Sequence, residues 1–298
     1  MHVATHDGSF HADEVFALGA LSLLGEPLQI TRTRDPAAMA ACDLRVDVGF
    51  ADDPATGDFD HHQRGGAGTR PNGVGYASFG LVWRQYGARL CGGDAAAAAR
   101  VDRILVQGVD ANDTGHELTA SVVDGVRPMT VSDLIAALNP SWEEEVTEDE
   151  ERRGFDEAVA LAAAILAREI SSAMAHARAG RTVADAIARA VDPRIVVLDR
   201  RVPWKEAVVG GAPDALFVVY PKRAGWGLET VPRELGSFES RLDLPEAWAG
   251  LDGPQLAALT GVPDAVFCHA KRFLVVARSR EGIDALAALA LGAPVAGD

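Results

Sequence analysis

Cysteine is scarce in this chain of 298 residues: Cys42, Cys91 and Cys268 are far apart, odd in number and form no CxxC pair. That excludes a disulfide framework and reads as reduced, mostly buried thiols in a cytoplasmic protein. Positive charge is also short, with 28 Lys and Arg against 43 Asp and Glu, a formal charge of −15. Proteins that embrace long nucleic acid need a basic face to neutralise phosphates, so long duplexes are not expected as partners. No apolar run reaches the length of a membrane span, because charges interrupt the alanine-rich stretches, and no membrane role is expected. Met1 leads directly into a strand-like segment, without the basic and apolar regions of a signal peptide.

What the chain does have is enough length for two domains and 48% hydrophobic residues, so the core is substantial. The charge is uneven: Glu143 to Glu151 is an acidic run, while Lys271, Arg272, Arg278 and Arg280 are bunched near the C-terminus. A polyanionic substrate must therefore be met by a local groove or a metal site. Strands are expected at 2–6, 28–33 and 44–49, and helices at 12–24, 36–41 (capped by Asp35), 76–86 and 94–108. Strands alternating with helices predict an α/β domain over 1–146 built on a parallel sheet. Thr147 with Glu150 forms a capping-box signature, opening an amphipathic helix that runs to about Arg178 and is stopped by Gly180. This connector, 147–180, leads to a smaller α+β domain over 181–298. Its strands are expected at 195–198, 215–220, 227–231, 266–269 and 273–277, with a closing helix over 280–291.

Five of the eight histidines lie within the first 62 residues, interleaved with carboxylates. Imidazole plus carboxylate is a ligand set for Mn²⁺, Fe²⁺ or Zn²⁺ rather than Ca²⁺, and its density suggests a two-metal site for phosphoryl chemistry. His6 ends the first strand, at the sheet edge where open α/β folds bind ligands. His11 and Asp13 follow in a turn and the first residues of a helix, where a tight turn aims both at one ion or, as an equal alternative, Asp13 or Ser9 caps the helix. Asp47 ends an apolar strand, costly to bury unless paired or metal-bound. Asp60-His61-His62 is the densest signal. In an extended segment adjacent side chains point to opposite faces, so one imidazole binds metal while the other faces substrate, with Asp60 fixing a tautomer. Asp110 and Asp113, three apart on a helix face, reach toward the same point.

These passages resemble the DHH phosphoesterase superfamily, and nearly the whole chain (about 2 to 291) resembles its melanocyte-proliferating-gene-product branch. The matching segments are THDGSFHADE, VDVGF, FDHHQR with GVGYASFGLVW, and VDANDTG. Later come VPWKEAV, LFVVYPK, GWGLETVP, SFESRLDLPEAWAGL and FCHAKRF. The resemblance implies a metal-dependent hydrolase with two divalent ions, Mn²⁺ expected and Mg²⁺ the alternative. His6, His11 and Asp47 would hold one ion. Asp13, bridging Asp47, His61 and a carboxylate from Asp110 or Asp113 (Asp113 preferred) would hold the other. His62 would face the phosphate, and Arg241, His269, Lys271 and Arg272 would bind substrate. Exonucleolytic cleavage of RNA or short oligonucleotides is the implied activity. The rivals are hydrolysis of a small phosphate compound (cyclic dinucleotide, pyrophosphate or nucleotide ester) and a non-enzymatic regulatory role on a degenerate metal site. A homo-oligomer is left open. Two departures stand out: the C-terminal stretch after His269-Ala270 lacks the family's glycine-rich loop, and Phe50 stands where the family has glycine.

Overall fold

A computed structural model describes residues 1–292; the last six positions of the expected second domain, 293–298, lie outside the described residues. Internal contacts divide the chain into a first unit, Met1–Ala175, and a second beginning at His176. The division falls inside one long helix.

The first unit holds strands β1 (His2–Thr5), β2 (Gln29–Arg32), β3 (Leu44–Val46), β4 (Asp52–Asp53) and β5 (Asp58–Phe59). Their order is β2-β1-β3-β5-β4. The first four in that order run parallel, and β4 returns antiparallel to β5. The sheet is therefore mixed rather than wholly parallel, because the Asp/Pro/Gly passage after β3 folds back as a short hairpin. Helices α1 (Ala12–Ser22), α2 (Pro36–Ala40), α3 (Ser78–Leu90), α4 (Ala95–Val101), α5 (Gln107–Asp113) and α6 (Val131–Ala136) follow, and α7 (Glu148–Ala188) crosses the unit boundary. A π-helical turn, Asp102–Val106, joins α4 to α5. The expected helix over 94–108 thus continues to Asp113.

Helix α1 is the spine of this unit: every residue from Ala12 to Leu21 is buried. Gly19 lets α7 approach it closely, since a Cβ there would sit 3.0 Å from the Ala163 amide nitrogen. Phe10, Phe16, Phe59, Phe79 and Phe155 are fully buried, each contributing about 1.5–3 kcal/mol by leaving water. Helix α7 is long and apolar enough, by length and composition, to cross a bilayer, which charge-based reading of the sequence did not anticipate. Its residues Phe155, Ala158, Ala162 and Leu166 are instead in the protein core. The loop entering α1 is pinned twice. Asn139 donates to and accepts from the Phe10 backbone at 2.9 Å each, and Arg32 donates to the Gly8 carbonyl while lying 4.5 Å over the Phe155 ring.

The second unit holds β6 (Ile195–Val197), β7 (Phe217–Lys222), β8 (Gly225–Thr230), β9 (Ala265–Cys268) and β10 (Leu274–Ala277), in the order β6-β7-β8-β10-β9. Only the β6–β7 pairing is parallel. Helices α8 (Lys205–Gly211), α9 (Gly253–Thr260) and α10 (Arg280–Gly292) complete it. Alternation along β7 feeds two cores: Phe217 and Val219 pack with Leu228, Ile283 and Leu286, while Val218 and Tyr220 pack with Val196, Leu198 and Val208.

Candidate metal centre

The carboxyl end of β1 and β3 is where the first unit concentrates buried charge. His6 follows β1 directly and is 4% exposed. Its Nδ1 lies 3.0 Å from the Asp7 carbonyl, which can only accept, so the proton sits on Nδ1 and Nε2 faces inward. That Nε2 lies 3.1 Å from Glu14 Oε1 and 3.3 Å from Asp47 Oδ2. Asp47 follows β3 with φ 58°, a left-handed conformation that Asp adopts at modest cost. This turn ends the strand three residues sooner than expected and swings the carboxylate onto the sheet edge. Ser78, at the first turn of α3, donates its hydroxyl to Asp47 Oδ1 at 2.9 Å and its amide to Asp13 Oδ2 at 3.3 Å.

His61 completes the cluster. Its Nε2 lies 3.0 Å from Asp113 Oδ2, 3.3 Å from Asp47 Oδ1 and 3.7 Å from Asp13 Oδ2. His62 does not point to the opposite face: the two rings are 4.3 Å apart, because the chain leaves the sheet at Phe59 and strand alternation ends there. Its side chain is 53% exposed, and its Nδ1 lies 2.8 Å from Asp60 Oδ1. A carboxylate cannot donate here, so the proton is on Nδ1 and Nε2 is left for an outside partner. Asp60, 1% exposed, spends its other oxygen on the Phe50 amide at 2.6 Å. Phe50 holds φ 57° and is 71% exposed.

Among the described residues three groups of potential ligands emerge, each with its ligand atoms within 4.8 Å of one another: His6, His11, Glu14 and Asp47; Asp47, His61 and His62; His11, Asp13 and Asp113. Asp47 and His11 each belong to two. Two clefts of about 230 Å³ open on the cluster, one beside Phe50 and His62 and one beside Asp13 and Asp113, and His11 lines both.

The electrostatics follow from this crowding of acids and imidazoles. Burial and the negative charges of Asp47, Glu14 and Asp113 push the Asp13 carboxyl well above its ordinary range. Burial also pushes Asp47 upward, but the close imidazoles of His6 and His61 and a hydrogen bond from Ser78 outweigh it and hold that carboxyl far below. For His6, burial favours the neutral ring, yet Asp47 and Glu14 lift it to about 10; Asp113 and Asp47 do the same for His61. No hydrogen bond satisfies His6 Nε2, His61 Nε2, Asp13 Oδ1 or Glu14 Oε2, although all four are buried. Imidazole nitrogens and carboxylate oxygens converging about 3 Å apart, with buried atoms unsatisfied, are a donor set that fits divalent cations, which would displace the ring protons from Nε2.

Asp110 and Arg241 are not where the sequence reading put them. Asp110 is fully buried but turned from the cluster, with Oδ2 2.8 Å from Arg70 and Oδ1 accepting the Gly80 amide at 2.9 Å. Arg70 is itself 4% exposed at its side chain, also pairs with Asp102 at 2.9 Å and stacks 4.1 Å over Tyr76. Any side chain at position 80 would collide with the Asp110 carboxylate, so glycine is required there. Arg241 donates to the carbonyls of Val209, Ala212, Pro213 and Ala215 at 2.6–3.0 Å, closing the end of α8. Most of that guanidinium's bonding is spent on the fold. His269, Lys271 and Arg272 lie on the β9–β10 turn, where Lys271 donates its amide to His269 Nδ1 at 3.1 Å and Arg272 pairs with Asp243 at 3.0 Å.

Sequence reasoning missed Glu14 and Ser78. Glu14 sits three residues after His11, the spacing of one helix face, and was legible on that ground. Ser78 carried no signal, because its role depends on where α3 begins.

Among proteins with described names, the chain is 35% identical over 315 residues to the human "MYG1 exonuclease", covering 94% of this chain and 83% of that protein. It is 30% identical over 320 residues to "MYG1 protein C694.04c" of Schizosaccharomyces pombe, covering 98% of each. A Chlamydia trachomatis "MYG1 protein" is 34% identical over 291 residues, covering 95% of this chain and 93% of that one. No solved structure matches. The family model MYG1_exonuc, described as an uncharacterised protein family (UPF0160), matches residues 2–291, and the chain belongs to that family.

Proposed function

We propose that this protein is a two-metal phosphodiester hydrolase of the DHH phosphoesterase type, removing nucleotides from the ends of short RNA or oligonucleotides in the cytoplasm. The observation that carries it is the convergence of His6, Asp13, Glu14, Asp47, His61 and Asp113 on one sheet edge, with four of their buried donor atoms unsatisfied. The name "exonuclease" carried by mammalian relatives supports the same reading. His6, Glu14 and Asp47, joined by His11, would hold one divalent ion, and Asp13, Asp47, His61 and Asp113 the other. Mn²⁺ suits this mix of imidazole and carboxylate. Two ions held there would supply Lewis-acid charge to the phosphate and a nucleophile at neutral pH. His62, oriented by Asp60, presents Nε2 at the cleft and donates to a phosphate or leaving-group oxygen when doubly protonated. Small clefts and a net charge of −15 suit the end of a short strand over a long duplex.

The test is a purified protein loaded with Mn²⁺, analysed for metal and assayed on end-labelled RNA oligomers beside cyclic dinucleotides and pyrophosphate. Near two ions per chain and release of mononucleotides are expected, with both lost in Asp13→Ala and His61→Ala. Fewer than one tightly held ion per chain after loading would overturn the proposal. Turnover of cyclic dinucleotides or pyrophosphate in place of RNA would move the substrate to small phosphate compounds.

A further inference from the structure

We infer that Phe50 is a stacking platform for the terminal base of the substrate, beside the candidate metal centre; this rests on the phosphodiesterase reading and names how the substrate is held. Three observations bear on it. Phe50 takes φ 57°, a conformation that glycine adopts freely and a bulky side chain adopts only under strain. Its ring is nevertheless 71% exposed, so burial of that ring in the fold does not compensate the strain. Strain held in place without a folding return is characteristic of binding and catalytic positions.

The surroundings identify the occupant. The Phe50 amide donates to Asp60 Oδ2 at 2.6 Å, and the opposite oxygen of the same carboxylate lies 2.8 Å from His62 Nδ1. Platform and imidazole are thus mounted on one buried carboxylate. Both line a cleft that also contains His6, His11 and Asp47. At about 230 Å³ it is smaller than the roughly 300 Å³ at which enclosed ligand pockets begin, and suits one planar ring laid on an open face. Arg34 stands on the same cleft, 63% exposed at its side chain; its Nε pairs with Asp7 at 3.0 Å, an exposed pair whose remaining guanidinium donors are within the reach of a phosphate or a base edge. A flat apolar ring next to a phosphate-binding centre fits a nucleobase, because every base offers a π-face whatever its sequence.

The experiment titrates Mn²⁺-loaded protein with adenosine 5′-monophosphate and with ribose 5-phosphate by calorimetry, for wild type, Phe50→Gly and Phe50→Trp. Wild type is expected to bind the nucleotide about tenfold or more tightly than the sugar phosphate. Phe50→Gly should close that gap through the nucleotide alone, and Phe50→Trp should retain it. Thermal melting accompanies the titrations, and Phe50→Gly should melt no lower than wild type, since glycine relieves the backbone. Equal wild-type affinities, or a gap that survives Phe50→Gly, would overturn the platform while leaving the metal centre standing. Failure of both ligands to bind the loaded wild type would overturn the phosphodiesterase reading itself.

Discussion

Asp110 and Asp113 leave the same short helix three residues apart, and the two places they reach are handled in opposite ways. At Asp110 the chain supplies its own cation: Arg70, buried beside it, pairs with both Asp110 and Asp102. At Asp113 the chain supplies none among the described residues except imidazoles: oxygens of Asp113, Asp47 and Asp13 crowd the single His61 Nε2 at 3.0, 3.3 and 3.7 Å. Where a protein means a buried carboxylate to be structural, it packs an arginine against it. Where acids and imidazoles gather without one, the donor set fits a cation from outside.

The comparison can be broken most severely at Asp47, the carboxylate common to two of the ligand groups. Asp47→Ala should drop divalent ion content below one per chain, by elemental analysis, and take hydrolysis below detection. Unchanged metal content would mean that the cluster is not a metal centre. Next is Arg70→Met, which strands Asp110 without its counter-ion. A loss of about 3–5 kcal/mol in denaturant unfolding is expected. A cost under about 1 kcal/mol would show that Arg70 is no keystone.

Asp60→Asn sharpens the distinction between holding ions and aiming a side chain. It keeps the shape but weakens the hold on His62 and Phe50, so activity should fall about 10–100-fold with metal content kept. The gentlest test varies pH. Burial lifts Asp110 to about 7 even with Arg70 pulling it back. A carboxyl whose folded pKa exceeds its unfolded value binds more protons when folded, so its contribution falls as pH rises from about 4 to about 7. Thermal melts of wild type and Asp110→Asn across that range should show the decline in the former and less of it in the latter. Parallel curves would mean that Asp110 titrates normally.

Much of the first unit was legible because its signals are local. Asp35 accepts from the Ala38 amide at 2.9 Å as an N-cap does, and the segments 29–32 and 44–46, each holding β-branched or apolar residues, pair as strands within a residue or two of expectation at most ends. The His/Asp passages were visible because few structural needs put two imidazoles after an acid. What the sequence hid is directional. Two acids three apart on a helix share a face but not a destination, and nothing local reveals that Arg70, in a glycine-rich loop forty residues earlier, claims Asp110. Arg241 was misread for the same reason: an arginine in a polar loop gives no sign that four carbonyls of another segment await it. Helix α7 extends through Gly180 to Ala188 because one glycine inside a long amphipathic run costs only about 1 kcal/mol.

Glu14 works in two directions at once. One oxygen, Oε1, accepts the His11 amide at 2.7 Å, so closing the start of helix α1, and lies 3.1 Å from His6 Nε2, while the other is buried without a hydrogen-bond partner. Occupation of the centre would therefore register in the backbone of the most deeply enclosed helix in the unit. The His11 amide becomes a built-in reporter, its exchange with deuterated solvent slowing as cations are taken up and quickening as a chelator strips them away.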